Sequence, residues 1–185
     1  EIPVEYLDTV QFKAASNISG EFEIKVQAKT VDTDPNNSAV TDTATSGSAT
    51  LINLVVQPVA DQVTLSVTSP ATGNEDTSIP IHIRPTSSDS SESFTVTISS
   101  IPAGSTLTYD GTVQTISGGS VAIDNFDKTL PLTILPPANS DIDFNLSVSA
   151  VSVDISGGVT STSSAATLPI SVDLRGVADP ASITT

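Results

Sequence analysis

The chain has 185 residues, with six Lys and Arg against 21 Asp and Glu, a formal net charge of −15, no Cys, no Trp and 4% aromatic residues. The missing Cys excludes a disulfide framework and thiolate metal sites. The acidic balance argues against nucleic acid, whose phosphates need clustered Lys and Arg, and no apolar stretch approaches the roughly 18 residues of a membrane span, so this segment is not expected to insert into a membrane.

A core made of Val, Ile, Leu and Ala gains only modestly from each side chain, at about 25 cal/mol per Å² of apolar surface buried. An acidic chain of this kind is expected to draw further stability from a hard cation held by carboxylates. The opening Glu1-Ile2-Pro3, with neither an initiator Met nor a signal peptide, reads as a segment of something longer.

In chain order, the first pattern is the alternation Phe22-Glu23-Ile24-Lys25-Val26-Gln27-Ala28, and it returns. Phe22 matches Phe144, 122 residues on, in Phe144-Asn145-Leu146-Ser147-Val148-Ser149-Ala150. Phe12-Lys13-Ala14-Ala15-Ser16-Asn17 matches Ile134-Leu135-Pro136-Pro137-Ala138-Asn139 at the same spacing. Pro58-Val59-Ala60-Asp61 returns as Gly176-Val177-Ala178-Asp179, 118 residues on. The difference of four is absorbed by a longer turn near Thr33-Asp34-Pro35-Asn36-Asn37. A period of about 120 residues is the size of a domain, not of a solenoid unit. Residues 1–60 therefore read as the C-terminal half of a module, 61–178 as a complete module, and 179–185 as the start of the next module or a linker.

The complete module reads as strands throughout. Val63-Leu65-Val67, Ile79-Ile81-Ile83 and Phe94-Val96-Ile98 alternate. Asp110-Gly111 between Leu107-Tyr109 and Val113 signals a two-residue hairpin. Val121-Ile123 and Leu130-Leu132-Ile134 follow. Phe144 to Ala150 shifts phase into Val151-Val153-Ile155, which predicts a bulge. After Gly157-Gly158 comes Leu168-Ile170-Val172-Leu174. The expectation is an all-β antiparallel sandwich of nine strands, each reversing direction, of the immunoglobulin-like kind. An odd count carries the chain in at a leading pole, with loops 86–92, 125–128 and 155–158, and out at a trailing pole, with loops 69–78, 99–104 and 135–142.

Carboxylates gather at both poles. Glu75, Asp76, Asp141, Asp143 and Asp179 fall to the trailing pole, and Asp61, Asp89, Glu92 and Asp154 to the leading one. In the first half-module Glu21 matches Asp143 and Asp32 matches Asp154, so an acid recurs at both positions. Clustered like charges repel, and a bound Ca²⁺ turns that repulsion into Ca–O bonds. These eleven acids are the candidate calcium ligands.

The phrases Gly-Asn-Glu-Asp-Thr-Ser-Ile (73–79), Ile-Pro-Ala-Gly-Ser-Thr-Leu (101–107), Pro-Pro-Ala-Asn-Ser-Asp-Ile-Asp-Phe (136–144) and Gly-Val-Ala-Asp (176–179) resemble the tandem modules of giant repetitive RTX-type adhesins of Gram-negative bacteria, exported by type I secretion. The resemblance spans the complete module and the preceding half. It implies Ig-like or cadherin-like modules in tandem with calcium at or near their junctions, on Glu75, Asp143 and the junction Asp residues. It also implies an extracellular place on the bacterial surface, tethered to the outer membrane. The partners expected are neighbouring modules of the same chain and, through other domains, a cell-surface ligand. Ser88-Asp89-Ser90-Ser91-Glu92 departs from the family pattern, which carries a Gly after an Asp-x-Asp run.

Catalysis is not expected. His82 is the sole His, and alternation with Ile81 and Ile83 turns it outward, away from any Ser it would have to activate. The function expected is that of a calcium-stabilised extender that projects ligand-binding domains for attachment or biofilm formation. The alternatives are a module that grips sugar or peptide itself, for which Tyr109 and Phe126 are the available aromatics, and a split domain carrying an inserted ligand-binding domain.

Overall fold

The computed structural model describes residues 1–181. The chain is predominantly β, in several mostly antiparallel sheets, and divides into two compact units. One comprises Glu1–Pro58 with Ser156–Val159, the other Val59–Ile155 with the chain from Thr160 onward.

In the first unit a 3-10 turn at Val4–Thr9 precedes β1 (Gly20–Val26), β2 (Lys29–Thr33), β3 (Thr41–Thr45) and β4 (Thr50–Val56). β1 and β4 form a two-stranded antiparallel ribbon, and β2 and β3 form another. Residues Val10–Lys13, although they alternate apolar and polar, lie outside any strand. Phe12 rests against Phe22 with ring centroids 6.2 Å apart.

The second unit holds β5 (Thr64–Val67), β6 (Ala71–Asn74), β7 (Ile79–Pro80), β8 (Ile83–Thr86), β9 (Ser93–Ser99), β10 (Thr106–Tyr109), β11 (Thr112–Val113), β12 (Val121–Ile123), β13 (Leu132–Leu135), β14 (Phe144–Ser156), β15 (Val159–Thr162) and β16 (Ala166–Arg175). One sheet runs β12-β9-β14-β16-β6, with β15 also on β14. A second runs β11-β10-β13-β7, and β5 pairs with β8. Inward residues from all of these strands except β11 and β15 meet in one apolar cluster, including Ile79, Ile98, Leu107, Ile134, Leu146 and Ile170. Ile79, Ile81 and Ile83 are buried in it and His82 is exposed, as the alternation requires.

Asp110 and Gly111 both take positive φ, 47° and 73°, the mirror-image turn that matches the twist of a tight hairpin. Gly157 and Gly158, at 56° and 77°, turn β14 into β15 in the same way.

Three features differ from the sequence expectation. The strands number more than nine, and they do not all reverse: β6 lies parallel to β16, with Val172 opposite Ala71 and Arg175 opposite Asn74. The apolar run at 79–83 is two strands, β7 on β13 and β8 on β5, so the chain changes partner within it. No bulge interrupts β14, whose ladder to β9 runs unbroken from Ser147↔Ser99 to Val153↔Ser93. Alternation continues inward through Ala150 to Ser152, which is fully buried, while Val151 and Val153 lie on the other face. A polar residue occupies the inward position because its hydroxyl donates to the carbonyl of Asp61 and its amide donates to the Ser163 hydroxyl oxygen; a buried hydroxyl needs such a partner.

The parallel placement of β6 depends on Gly73. A Cβ there would lie 2.5 Å from Cγ1 of Ile79, which is fully buried and has no room to retreat. Gly73→Ala is therefore expected to destabilise the second unit by about 1–3 kcal/mol, the range for overpacking a filled core. Urea denaturation followed by far-UV circular dichroism measures it, and an unchanged midpoint would show that β6 is free to move away.

Candidate functional site

The strand registers place the loops of the second unit at its two poles. Ser99 pairs with Ser147 and Val172 with Phe144, so 99–104, 135–143 and the end of β16 share the trailing pole. Ser93 pairs with Val153, and the amide of Phe126 donates to the Phe94 carbonyl, so 86–92, 125–128 and the end of β14 share the leading pole.

At the trailing pole the carboxylates close the chain on itself. Oε1 of Glu75 accepts from the amide of Val177. Oδ1 of Asp143 accepts from the amide of Leu174 at 2.7 Å, and Oδ1 of Asp76 from the amide of Asn139 at 2.9 Å. Oδ2 of Asp141 reaches to 3.1 Å from where a Cβ would sit on Gly176, and Oε1 of Glu75 to 3.6 Å from the same point. Glu75 and Asp141 thus converge on Gly176, beside Asp143. Asp179 is exposed, a few residues further on.

The leading pole is more enclosed. Asp89 and Glu92 are 9% and 8% exposed. Oδ1 of Asp89 accepts from both the amide and the hydroxyl of Ser91, at 2.8 and 2.7 Å, and these bonds hold its carboxyl below the usual carboxylate range. Oε1 of Glu92 accepts from the amide of Asp61. Oδ2 of Asp61 accepts from the hydroxyl of Ser88 at 2.6 Å. Asp154 shares the face of Ser152, two residues along β14 and half-buried.

Oε2 of Glu92 is buried with no hydrogen-bond partner. An ionised oxygen withdrawn from water without a partner carries a desolvation cost that a cation would remove. Asp61, Asp89, Glu92 and the Ser88 hydroxyl supply hard oxygen donors of the kind Ca²⁺ takes. They are a donor set and not an assembled cage: among the described residues, no group of three or more His, Cys, Asp or Glu side chains is already disposed to hold a metal ion.

Glu21 and Asp32 belong to the first unit, and both are exposed. Glu21 lies opposite Val55 on the β1–β4 ribbon. Asp32 lies directly opposite Asp42 across β2–β3, a like-charge pairing that weakens an exposed ribbon.

The two aromatics considered for ligand stacking are used in packing. Tyr109 and Phe126 stack with centroids 5.3 Å apart and 21° between planes, and Phe126 is buried. The Tyr109 hydroxyl bridges the backbone of Asp127, accepting from its amide at 2.7 Å and lying 3.2 Å from its carbonyl. His82 and Arg84 face a shallow groove of about 530 Å³ shared with Lys128 and Leu130. Sequence reasoning did not single this groove out, because it arises where the chain leaves β13 to join β5.

Oδ1 of Asp127 accepts from the amide and hydroxyl of Thr129, and with the neighbouring Lys128 these bonds hold its carboxyl below its ordinary value of 3.8. A depressed folded pKa contributes stability that is present above the unfolded value and lost as pH falls through the folded one. Asp127→Asn is therefore expected to reduce the loss of melting temperature as pH falls through 3.8 and below. An unchanged acid limb in scanning calorimetry would show that this turn does not couple to unfolding. Neither a protein-family model nor a curated protein matches the sequence.

Proposed function

We propose that the chain is a stretch of tandem Ig-like or cadherin-like sandwich modules serving as a calcium-stabilised extender of a large bacterial surface adhesin, outside the cell, holding ligand-binding domains away from the surface. The observation that carries the calcium reading is the buried, unpartnered Oε2 of Glu92, whose other oxygen accepts from the amide of Asp61, the residue that also accepts from the Ser88 hydroxyl. In this reading Glu92, Asp61 and Asp89 hold the ion and Ser88 supplements them. Their negative charges are neutralised, and the leading loop is fixed to the first residues of the module. The trailing carboxylates Glu75, Asp141 and Asp143 form the second candidate set.

The tandem reading is supported by strand register. Phe22 pairs with Leu54, and Phe144 with Val172; Ile24 pairs with Ile52, and Leu146 with Ile170. The sequence offsets of 122 and 118 carry each pair of the first ribbon onto the second. A spacer role fits an acidic chain whose second unit packs its aromatics Phe94, Tyr109, Phe126 and Phe144 in or against the core instead of exposing them for stacking on a sugar. Partners on this reading are neighbouring modules and, through other domains, a surface ligand.

At an affinity of about 10⁻⁴ to 10⁻³ M, 10 mM Ca²⁺ is expected to stabilise the second unit by about 1.4–2.7 kcal/mol over chelator. Thermal melting with and without Ca²⁺ reads it, with Glu92→Gln run in parallel and expected to lose most of the difference. Identical melting of the unaltered chain in both conditions would overturn the calcium reading. A full calcium response in the Glu92→Gln chain would move the ion to the trailing pole.

A further inference from the structure

Residues 59–185 hold 13 Asp and Glu against three Lys and Arg. Two of those three, Arg84 and Lys128, line one hollow of the second unit together with the sole His, His82. Among the described residues no carboxylate lines it. All three side chains are exposed, and the ion pairs among the described residues, Lys25–Glu23 and Lys29–Glu1, lie in the first unit. The carboxylate that acts on Lys128 is that of its neighbour Asp127, which is itself engaged by the Thr129 amide and hydroxyl. In so acidic a chain, cations gathered on a surface free of carboxylates are a local reversal of charge.

The walls of this hollow are fixed by the fold. The chain changes partner between β7 and β8, and the hollow lies beside that change, against the segment 126–131. The Tyr109 hydroxyl accepts from the Asp127 amide at 2.7 Å, the Leu130 amide donates to the Asp127 carbonyl at 3.1 Å, and the Asp110 amide donates to the Pro131 carbonyl at 2.9 Å. Lys128 is therefore carried on a pinned wall. A smaller hollow of about 180 Å³, with Thr68 and Thr72 in its lining, adjoins the first at Pro80 and His82. A third, of about 260 Å³, adjoins it at Phe126 and Lys128 and is lined also by Glu92 and Asp127, so the cationic stretch ends there. The central part, about 530 Å³, falls in the size range of small-ligand sites.

We infer that this track binds an acidic polysaccharide of the uronate kind. Its carboxylates pair with Arg84 and Lys128. Its hydroxyls exchange hydrogen bonds with His82, Thr68, Thr72 and Thr133. The floor is aliphatic, from Pro80, Leu130 and Pro131, so the sugar is held by charge and hydroxyls and not by stacking on a ring. A peptide is disfavoured, because a strand added to an edge needs free main-chain groups. Pro70, Pro80 and Pro131 have no N–H to give. The Ile81 amide is bonded to the Leu132 carbonyl, and the His82 carbonyl to the Thr68 amide. A broad anionic surface would meet the net charge of −15. A single narrow chain in the track meets the local cations, since charges beyond about 8 Å are largely screened at physiological ionic strength. The inference goes beyond the extender reading and does not involve calcium.

The test titrates the ¹⁵N-labelled chain, in chelator, with tetragalacturonate, its neutral methyl ester and tetraglutamate, and follows amide shifts. Tetragalacturonate is expected to move amides in 68–72, 81–84 and 128–133, with little response to the other two. Arg84→Gln and Lys128→Gln are each expected to weaken binding by roughly 2–5-fold, the range of a solvent-exposed charge contact, and together by about the product. Arg175→Gln, outside the track, is expected to change nothing. No shift in these segments would overturn the inference. An equal response to the methyl ester would show that charge is not read, and an equal response to tetraglutamate would assign the track to acidic peptides; either overturns it, and both are read on the unaltered chain. Equal weakening by Arg175→Gln would reduce the binding to general attraction. Binding that appears only with added Ca²⁺ would place the sugar on an ion at a pole, overturning this inference while supporting the calcium reading.

Discussion

A two-stranded ribbon with one apolar face is stable in water only if something covers that face, and this chain contains such a ribbon twice in one register. In the second unit the covered ribbon is β14–β16. Its inward residues Leu146, Val148, Ile170 and Val172 lie at the centre of the core, and β9, β6 and the β10–β13–β7 sheet are arranged around them. The loop positions at both poles, and so the positions of the acids, follow from those pairings. The same two strands without their cover, β1 and β4, have the same ladder but no interior.

Ser152 links that core to the leading pole. Its side chain occupies the inward site where a Val or Ile would otherwise extend the apolar column, and it fixes the backbone of Asp61. Asp61 in turn donates its amide to Glu92 and accepts from Ser88. The first residues of the unit are thus tied to the end of its central strand by a run of polar contacts, all of them beside carboxylates. Neutralising those carboxylates acts on the position of the chain start as well as on local charge.

Much of this was legible in the sequence, for identifiable reasons. Ile79, Ile81 and Ile83 face inward because alternation is strict wherever one face is dry. Asp110-Gly111 makes its hairpin because both residues tolerate positive φ. The repeat offsets written by Phe22, Phe144, Ala60 and Ala178 reappear as paired registers. β6 was not legible, since Ala71-Thr72-Gly73-Asn74 has no apolar alternation and is held by backbone pairing and by the space that Gly73 leaves for Ile79. The bulge expected at Val151 was an error of facing. Val151, Val153 and Ile155 are apolar but lie on the outer face, and the inward residue is a serine whose partner is 91 residues away in sequence. Of the candidate site, the pole of each acid in the second unit could be read from strand order. Which carboxylate oxygen is left buried and unpartnered could not, because that depends on where the Asp61 and Ser91 amides point.

The outermost strands of the second unit are short. The largest sheet ends on β12, three residues long, and on β6, four residues long, while the other sheet ends on the two-residue strands β11 and β7. Identical domains strung on one polypeptide meet one another at high local concentration, the circumstance in which exposed strand margins zip together into aggregates. Margins of two to four residues offer too few backbone groups for such zipping to compete with native pairing. A fold with these margins can be duplicated along a chain without each copy becoming a template for the misfolding of the next.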